Sequence, residues 1–180
     1  EGSSYDTYVG GLLGVAMIEN IETSSSNGTI SITNTVNNVN IVGGLIGRFY
    51  NSTSDNATRN FISNSYASVD IHTSNYGSST GASVGGLVGI ASNEYADNTE
   101  IINSYATGDI YSTNGYIGGL VGQNWAILTN SFATGNIDGL SGYTDRLAAY
   151  STFNSHYTNC YVYDAQTVSY DGNPGSVRSD

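Results

Sequence analysis

The hexapeptide VGGLVG at residues 84–89 occurs in near-identical form three more times, as VGGLLG at 9–14, VGGLIG at 42–47 and IGGLVG at 117–122. A second motif interleaves with it: ISNSYASVDI at 62–71, IINSYATGDI at 101–110 and LTNSFATGNI at 128–137. ITNTVNNVNI at 32–41 reads as a divergent early copy and YTNCYVYDAQ at 157–166 as a late one. Self-similarity of this period points to solenoids, propellers or arrays. Helical solenoids conflict with so much glycine and so many β-branched residues. A propeller blade needs four strands, and these units show two or three. A leucine-rich repeat needs more leucine at fixed spacing. The pattern therefore predicts an all-β chain, a parallel β-solenoid (a right-handed β-helix) of about five coils with variable loops. Each strand pairs with its equivalent one coil away, at ~4.8 Å per coil.

In such a stack every column lies on itself. Gly10-Gly11, Gly43-Gly44, Gly85-Gly86 and Gly118-Gly119 then form one tight corner, since glycine reaches positive φ and lets backbones approach. Leu12, Leu45, Leu87 and Leu120 form a core ladder beside it. The last glycine pair is degraded, and its register falls near LAAYS at 147–151, with Ala148 and Ala149 as stand-ins. Alignment of the second motif gives an asparagine column, Asn34, Asn64, Asn103, Asn130 and Asn159, expected to form an amide ladder. Seven residues after its first four members come Ile41, Ile71, Ile110 and Ile137. The polarity of the motif strand is open. Greater buried area favours Tyr66, Tyr105, Phe132 and Tyr161 inside, with a change of phase near Gly108 and Gly135 to bring the isoleucines inward; substitutions to Cys160 and Val162 favour the other side.

The paired motifs resemble the GLUG repeat family, best at VGGLVG with NSYATGDI (84–110) and IGGLVG with NSFATGNI (117–137). The resemblance implies an accessory β-helical region of large secreted or surface proteins of microbes, including adhesins and immunoglobulin A peptidases. It brings no catalytic residues. The organisation expected is one solenoid domain over 1–166, with the best repeats at 9–137, a degenerate terminal coil at 140–166, and a tail or linker at 167–180.

Composition narrows the partners. There is no lysine among four basic residues, and the net charge is −11, which repels nucleic acid and anionic membranes. No apolar run approaches the length of a membrane span. No signal peptide is visible, and Glu1 is compatible with cleavage of one. Cys160 is the one cysteine, so no intramolecular disulfide forms, and it reads as a small packed thiol. No cofactor is expected, and no metal-ligand spacing of histidine and cysteine occurs. His72 and His156 share no motif and read as surface or turn residues.

Asp70 and Asp109 would be neighbours in a stacked column with Asn40 and Asn136. A carboxylate pair at coil spacing is near that of retaining glycosidases and would also suit a Ca²⁺ ion. The simpler reading is a repeated turn residue. Asn27, Asn51 and Asn56 head N-glycosylation tripeptides. The variable loops at 48–61, 72–83 and 90–100 carry Tyr50, Tyr76 and Tyr95, side chains suited to contact surfaces.

The leading expectation is a non-enzymatic structural or adhesive module at the cell surface, in contact with host or matrix glycan or protein. One alternative is a filament subunit stacking end to end, since VGGLLG begins at residue 9 with no helix or proline before it, and flanking repeats or another molecule would cover that end. The other is a glycan-binding or polysaccharide-degrading β-helix using Asp70 and Asp109.

Overall fold

The computed structural model describes residues 6–17, 20–34, 39–51, 59–75, 81–93, 99–139, 143–151, 155–163 and 168–170. They contain twenty-three short strands and no helix, wound into five coils. Coil one holds β1 (Thr7–Gly10), β2 (Leu13–Ala16), β3 (Asn20–Glu22) and β4 (Ser25–Asn34). Coil two holds β5 (Asn40–Gly43), β6 (Ile46–Asn51), β7 (Asn60–Ser63) and β8 (Tyr66–Asn75). From coil three onward the fourth strand is split in two. Coil three has β9 (Ser83–Gly85), β10 (Val88–Asn93), β11 (Thr99–Ile102), β12 (Tyr105–Ala106) and β13 (Ile110–Ser112). Coil four has β14 (Tyr116–Gly118), β15 (Val121–Asn124), β16 (Ile127–Thr129), β17 (Phe132–Ala133) and β18 (Ile137–Gly139). Coil five has β19 (Tyr143–Asp145), β20 (Ala148–Ser151), β21 (Tyr157–Thr158), β22 (Tyr161–Val162) and β23 (Val168–Tyr170).

Each coil contributes one layer to each of four sheets: β1-β5-β9-β14-β19, β2-β6-β10-β15-β20, β3-β7-β11-β16-β21, and a fourth built on β4, β8 and the split pairs. The pairings are parallel throughout. The expected parallel β-solenoid of about five coils is thus the observed fold, with four faces per coil where two or three strands were expected. β23 pairs with β18, so the fourth sheet runs past the expected boundary at residue 166.

Register makes the columns. Val9, Val42, Val84 and Ile117 stack through the first sheet. Ile21, Ile62, Ile101 and Leu128 stack through the third. Leu45, Leu87 and Leu120 are fully buried, whereas Leu12, in the outermost coil, is 47% exposed. The leucine ladder therefore forms as expected, with its first rung open.

Of the two causes expected for the glycine corner, positive φ and close approach, only the second operates. Among the described residues only Gly28 and Gly115 are glycines at positive φ; the paired glycines are there for close approach. A Cβ on Gly44, Gly86 or Gly119 would strike the backbone carbonyl of the coil below. It would also meet the Cβ of Ala67, Ala106 or Ala133 across the coil, at 2.8, 2.8 and 3.0 Å. The two motifs thus face one another: glycine on one wall leaves room only for a small residue on the other, Ser26 in coil one and alanine in coils two to four.

That contact also sets the polarity of the motif strand, against the burial-area expectation. Ala67, Ala106, Ala133, Ser65, Ser104 and Ser131 are buried, while Tyr66 is 37% and Tyr161 65% exposed; Tyr105 and Phe132 are half-buried. With alanine inward, Val69 and Ile71 follow in phase along β8 and no phase change is needed. Gly108 instead lies against the Val69 backbone.

Coil one also departs from the sequence alignment. Ser25 pairs with Tyr66 and Ile30 with Ile71, so Thr23 occupies the asparagine corner and Ile30 the isoleucine column. Asn34 pairs with Asn75 at the far end of β4, and Ile41 lies in the first sheet beside Ser83. In coil five, Asp145 pairs with Gly118 and Ala148 with Val121. Asp145-Arg146 therefore stand where the glycine pair would be, and Ala148 and Ala149 follow Leu147.

Candidate functional site

Three polar columns run along the stack, the first through coils two to five and the other two through coils two to four, and each is engaged by the stacking itself. The first is the asparagine corner. Asn64, Asn103, Asn130 and Asn159 all sit near φ +50°, a region asparagine tolerates better than other residues with a side chain. The three lower amides donate upward: Asn103 Nδ2 to Asn64 Oδ1 at 3.3 Å, Asn130 to Asn103 at 3.0 Å and Asn159 to Asn130 at 3.1 Å. The expected amide ladder forms over these four, without Asn34.

The second column, the motif serine, was not foreseen as a ladder. The hydroxyls of Ser65, Ser104 and Ser131 each donate to the carbonyl two residues back, at 2.8 Å. Each also accepts the backbone N–H of the coil above, from Ser24, Ser65 and Ser104 respectively. A buried hydroxyl needs such partners, and its recurrence one residue after the asparagine was the available signal. Cys160 continues the column, its thiol donating to the Leu128 carbonyl at 3.3 Å. Burial pushes this thiol upward in pKa, offset by bonds to the backbone at Ser131 and Thr158, which leaves little thiolate at neutral pH.

The third column contains the candidate carboxylates. Asp70 Oδ1 accepts the Asp109 backbone N–H at 3.0 Å, and Asp109 Oδ1 accepts that of Asn136 at 2.7 Å. Asp70, Asp109 and Asn136 do stack; Asn40 does not join them, its place being taken by Thr29. Each aspartate accepts a backbone N–H of the coil below; Asp70 does so from within β8, so the repeated-turn expectation does not hold for it. No group of three His, Cys, Asp or Glu converges among the described residues.

On the outward side of the fourth sheet, Tyr66, Tyr105 and Phe132 form a column with ring centroids 5.0 and 4.9 Å apart and planes within 4°. Tyr105 is stacked on both faces, by Tyr66 and by Phe132. A second cluster, Tyr116, Tyr143, Tyr150 and Trp125, joins the last two coils with tilted rings.

The remaining candidates scatter. His72 is exposed and tilts against Tyr111 with centroids 6.2 Å apart. His156 is exposed, its carbonyl accepting the Leu128 N–H. Tyr50 packs under the Arg48 guanidinium, 4.6 Å from the ring centroid, and its hydroxyl reaches Met17 Sδ. Tyr76 and Tyr95 lie outside the described residues. Of the glycosylation tripeptides, Asn27 is exposed on β4 and Asn56 lies outside the described residues. Asn51 is only 2% exposed on β6, which closes it as an acceptor in the folded chain. No helix among the described residues is long and apolar enough to cross a membrane.

A search of curated proteins returns no match. A family model described as the GLUG motif matches twice, over residues 80–111 and 113–138. These spans coincide with coils three and four, where the Gly-Gly-Leu corner, the alanine wall and the polar columns are all present, so the centre of this β-solenoid is similar to a tandem pair of GLUG repeats.

Proposed function

We propose that the chain is a non-enzymatic structural and adhesive module of an extracellular or cell-surface protein. The observation that carries this reading is where the repeated polar groups are used: the asparagine amides, the serine hydroxyls and Asp70 and Asp109 all bond to the next coil. Engagement of one oxygen of each aspartate by a backbone N–H of the next coil supports a structural use over a catalytic one. The module acts as a stiff spacer, and its variable loops and outward faces contact host or matrix glycan or protein. A chain without lysine and with a net charge of −11 favours neutral or basic contact surfaces over anionic ones.

The test is a panel of polysaccharides incubated with the native chain and with Asp70→Asn/Asp109→Asn, with reducing ends as the readout. No release is expected from either. Release by the native chain that vanishes in the double variant would overturn the proposal in favour of a carbohydrate-active β-helix. In parallel, particles coated with the chain should adhere to matrix glycoprotein or glycan surfaces, and exchange of residues 52–59, the connection between β6 and β7, should reduce adhesion.

A further inference from the structure

The two ends of the coil stack are not alike. In coils one to four, the leucine of the corner and the residue after it both donate their backbone N–H groups to the leucine carbonyl of the next coil. Leu12 and Leu13 donate to Leu45 at 2.9 and 3.2 Å, Leu45 and Ile46 to Leu87 at 2.9 and 3.1 Å, Leu87 and Val88 to Leu120 at 2.9 and 3.1 Å, and Leu120 and Val121 to Leu147 at 2.9 and 3.0 Å. In coil five the same two donors, Leu147 and Ala148, turn to the Asp145 carboxylate, both to Oδ1, at 2.9 and 3.3 Å. One side-chain oxygen thus takes the part that the next coil's carbonyl plays elsewhere, a short-range cap of the kind aspartate makes at turns.

A steric observation, independent of the first, points the same way. The second glycine of the pair faces the carbonyl of the coil below, so that a Cβ there would clash at Gly11, Gly44, Gly86 and Gly119 alike. Coil five has Arg146 at that position, and an arginine Cβ leaves no room for a sixth coil in the same register. The exposed large side chains agree. The first coil presents Leu12, Val15 and Met17, wholly apolar, whereas the last presents Tyr143, Tyr150, Tyr161 and Tyr163, amphipathic rings suited to a wet surface. Terminal repeats of solenoids characteristically carry such polar caps.

We infer that Asp145-Arg146 is a stop signal, which closes the C-terminal face of the stack to a further coil and so prevents a second copy from adding its Gly10-Gly11-Leu12 edge there. The stop works by two means: the carboxylate saturates the N–H pair an incoming leucine carbonyl would need, and the Arg146 Cβ occupies the space its backbone would fill. This goes beyond the structural role proposed above and opposes the filament alternative. An adhesive module remains intact whether or not the stop exists.

The test compares the native chain with Asp145→Gly/Arg146→Gly by sedimentation and electron microscopy from micromolar to near-millimolar concentration. The native chain is expected to keep one mass, and the double variant to grow rods in a concentration-dependent way. Leu12→Asp in the double-variant background should abolish growth. Hydrogen exchange on the dispersed chain keeps the inference testable if the double variant fails to fold. The Leu147 and Ala148 amides should be protected in the native chain and in Asp145→Asn, and exchange about tenfold or more faster in Asp145→Ala, as loss of a hydrogen bond requires. End-to-end growth of the native chain, a folded double variant that stays at the native mass, or unchanged protection in Asp145→Ala would each overturn the inference.

Discussion

At the asparagine corner a single residue type meets two demands. The backbone there lies near φ +50°, which costs most L-residues ~1–2 kcal/mol. The side chain must also donate to the coil above and accept from the coil below, which a primary amide does with its separate N–H and C=O groups. Asn103→Ala is expected to lose about 2–3 kcal/mol in urea unfolding, since it meets the conformational cost and forfeits two ladder bonds. Asn103→Gly removes the first cost and keeps the second loss, so it should fall between alanine and the native chain. Coil one offers the converse. Thr23 holds the same corner at φ 48° with a β-branched side chain poorly suited to it, and Thr23→Asn should raise stability by about 1 kcal/mol by adding an acceptor for Asn64. An alanine variant as stable as the native chain would remove the ladder from the account. The threonine is also why the sequence misaligns coil one: with no asparagine at this corner, the motif-like stretch ITNTVNNVNI supplies Asn34, eleven residues too late.

The Gly-Gly-Leu corner shows what a whole element requires. Two walls of the coil meet there with only a glycine and an alanine between their backbones. Gly86→Ala would push a Cβ into the Gly119 carbonyl and to 2.8 Å from the Ala106 Cβ. Neither can yield without moving a buried strand, so a loss of about 3 kcal/mol or more, or failure to fold, is expected. Gly28→Ala is the control. It has φ +123° and no atom within 4 Å of the added Cβ, so only backbone strain of ~1–2 kcal/mol applies. Thermal unfolding of the two variants measures the difference, and equal midpoints would contradict close approach as the cause. The same narrowness explains why the motif strand hides its serine and alanine and exposes its tyrosines: the larger rings do not fit where the walls nearly touch.

For the molecule as a whole, stability is a chain of neighbouring interfaces. Leu45, Leu87 and Leu120 are fully buried and Leu12 is not, so the middle coils should open last. Hydrogen exchange is expected to show the slowest amides in coils two to four and earlier exchange in coil one. Leu87→Ala, which empties the middle of the ladder, should lower global stability by ~2–5 kcal/mol. Uniform protection from end to end would indicate one cooperative block instead.

What the sequence by itself determined is the repetition: four glycine motifs and a staggered second motif can satisfy their spacing only by stacking, so the columns, the leucine core and the asparagine corner are all readable from identity at fixed intervals. What only the tertiary structure decided is which side of a column faces inward and what happens where the column ends. Inward and outward depend on the distance between two walls of one coil, set by residues some twenty positions apart, and an alternating strand carries no record of that distance. The ends depend on which N–H groups lack a neighbour: the chain reads as decayed at LAAYS, with Ala148 and Ala149 in the glycine places, and Asp145-Arg146 becomes a cap only once the coil above it has been built.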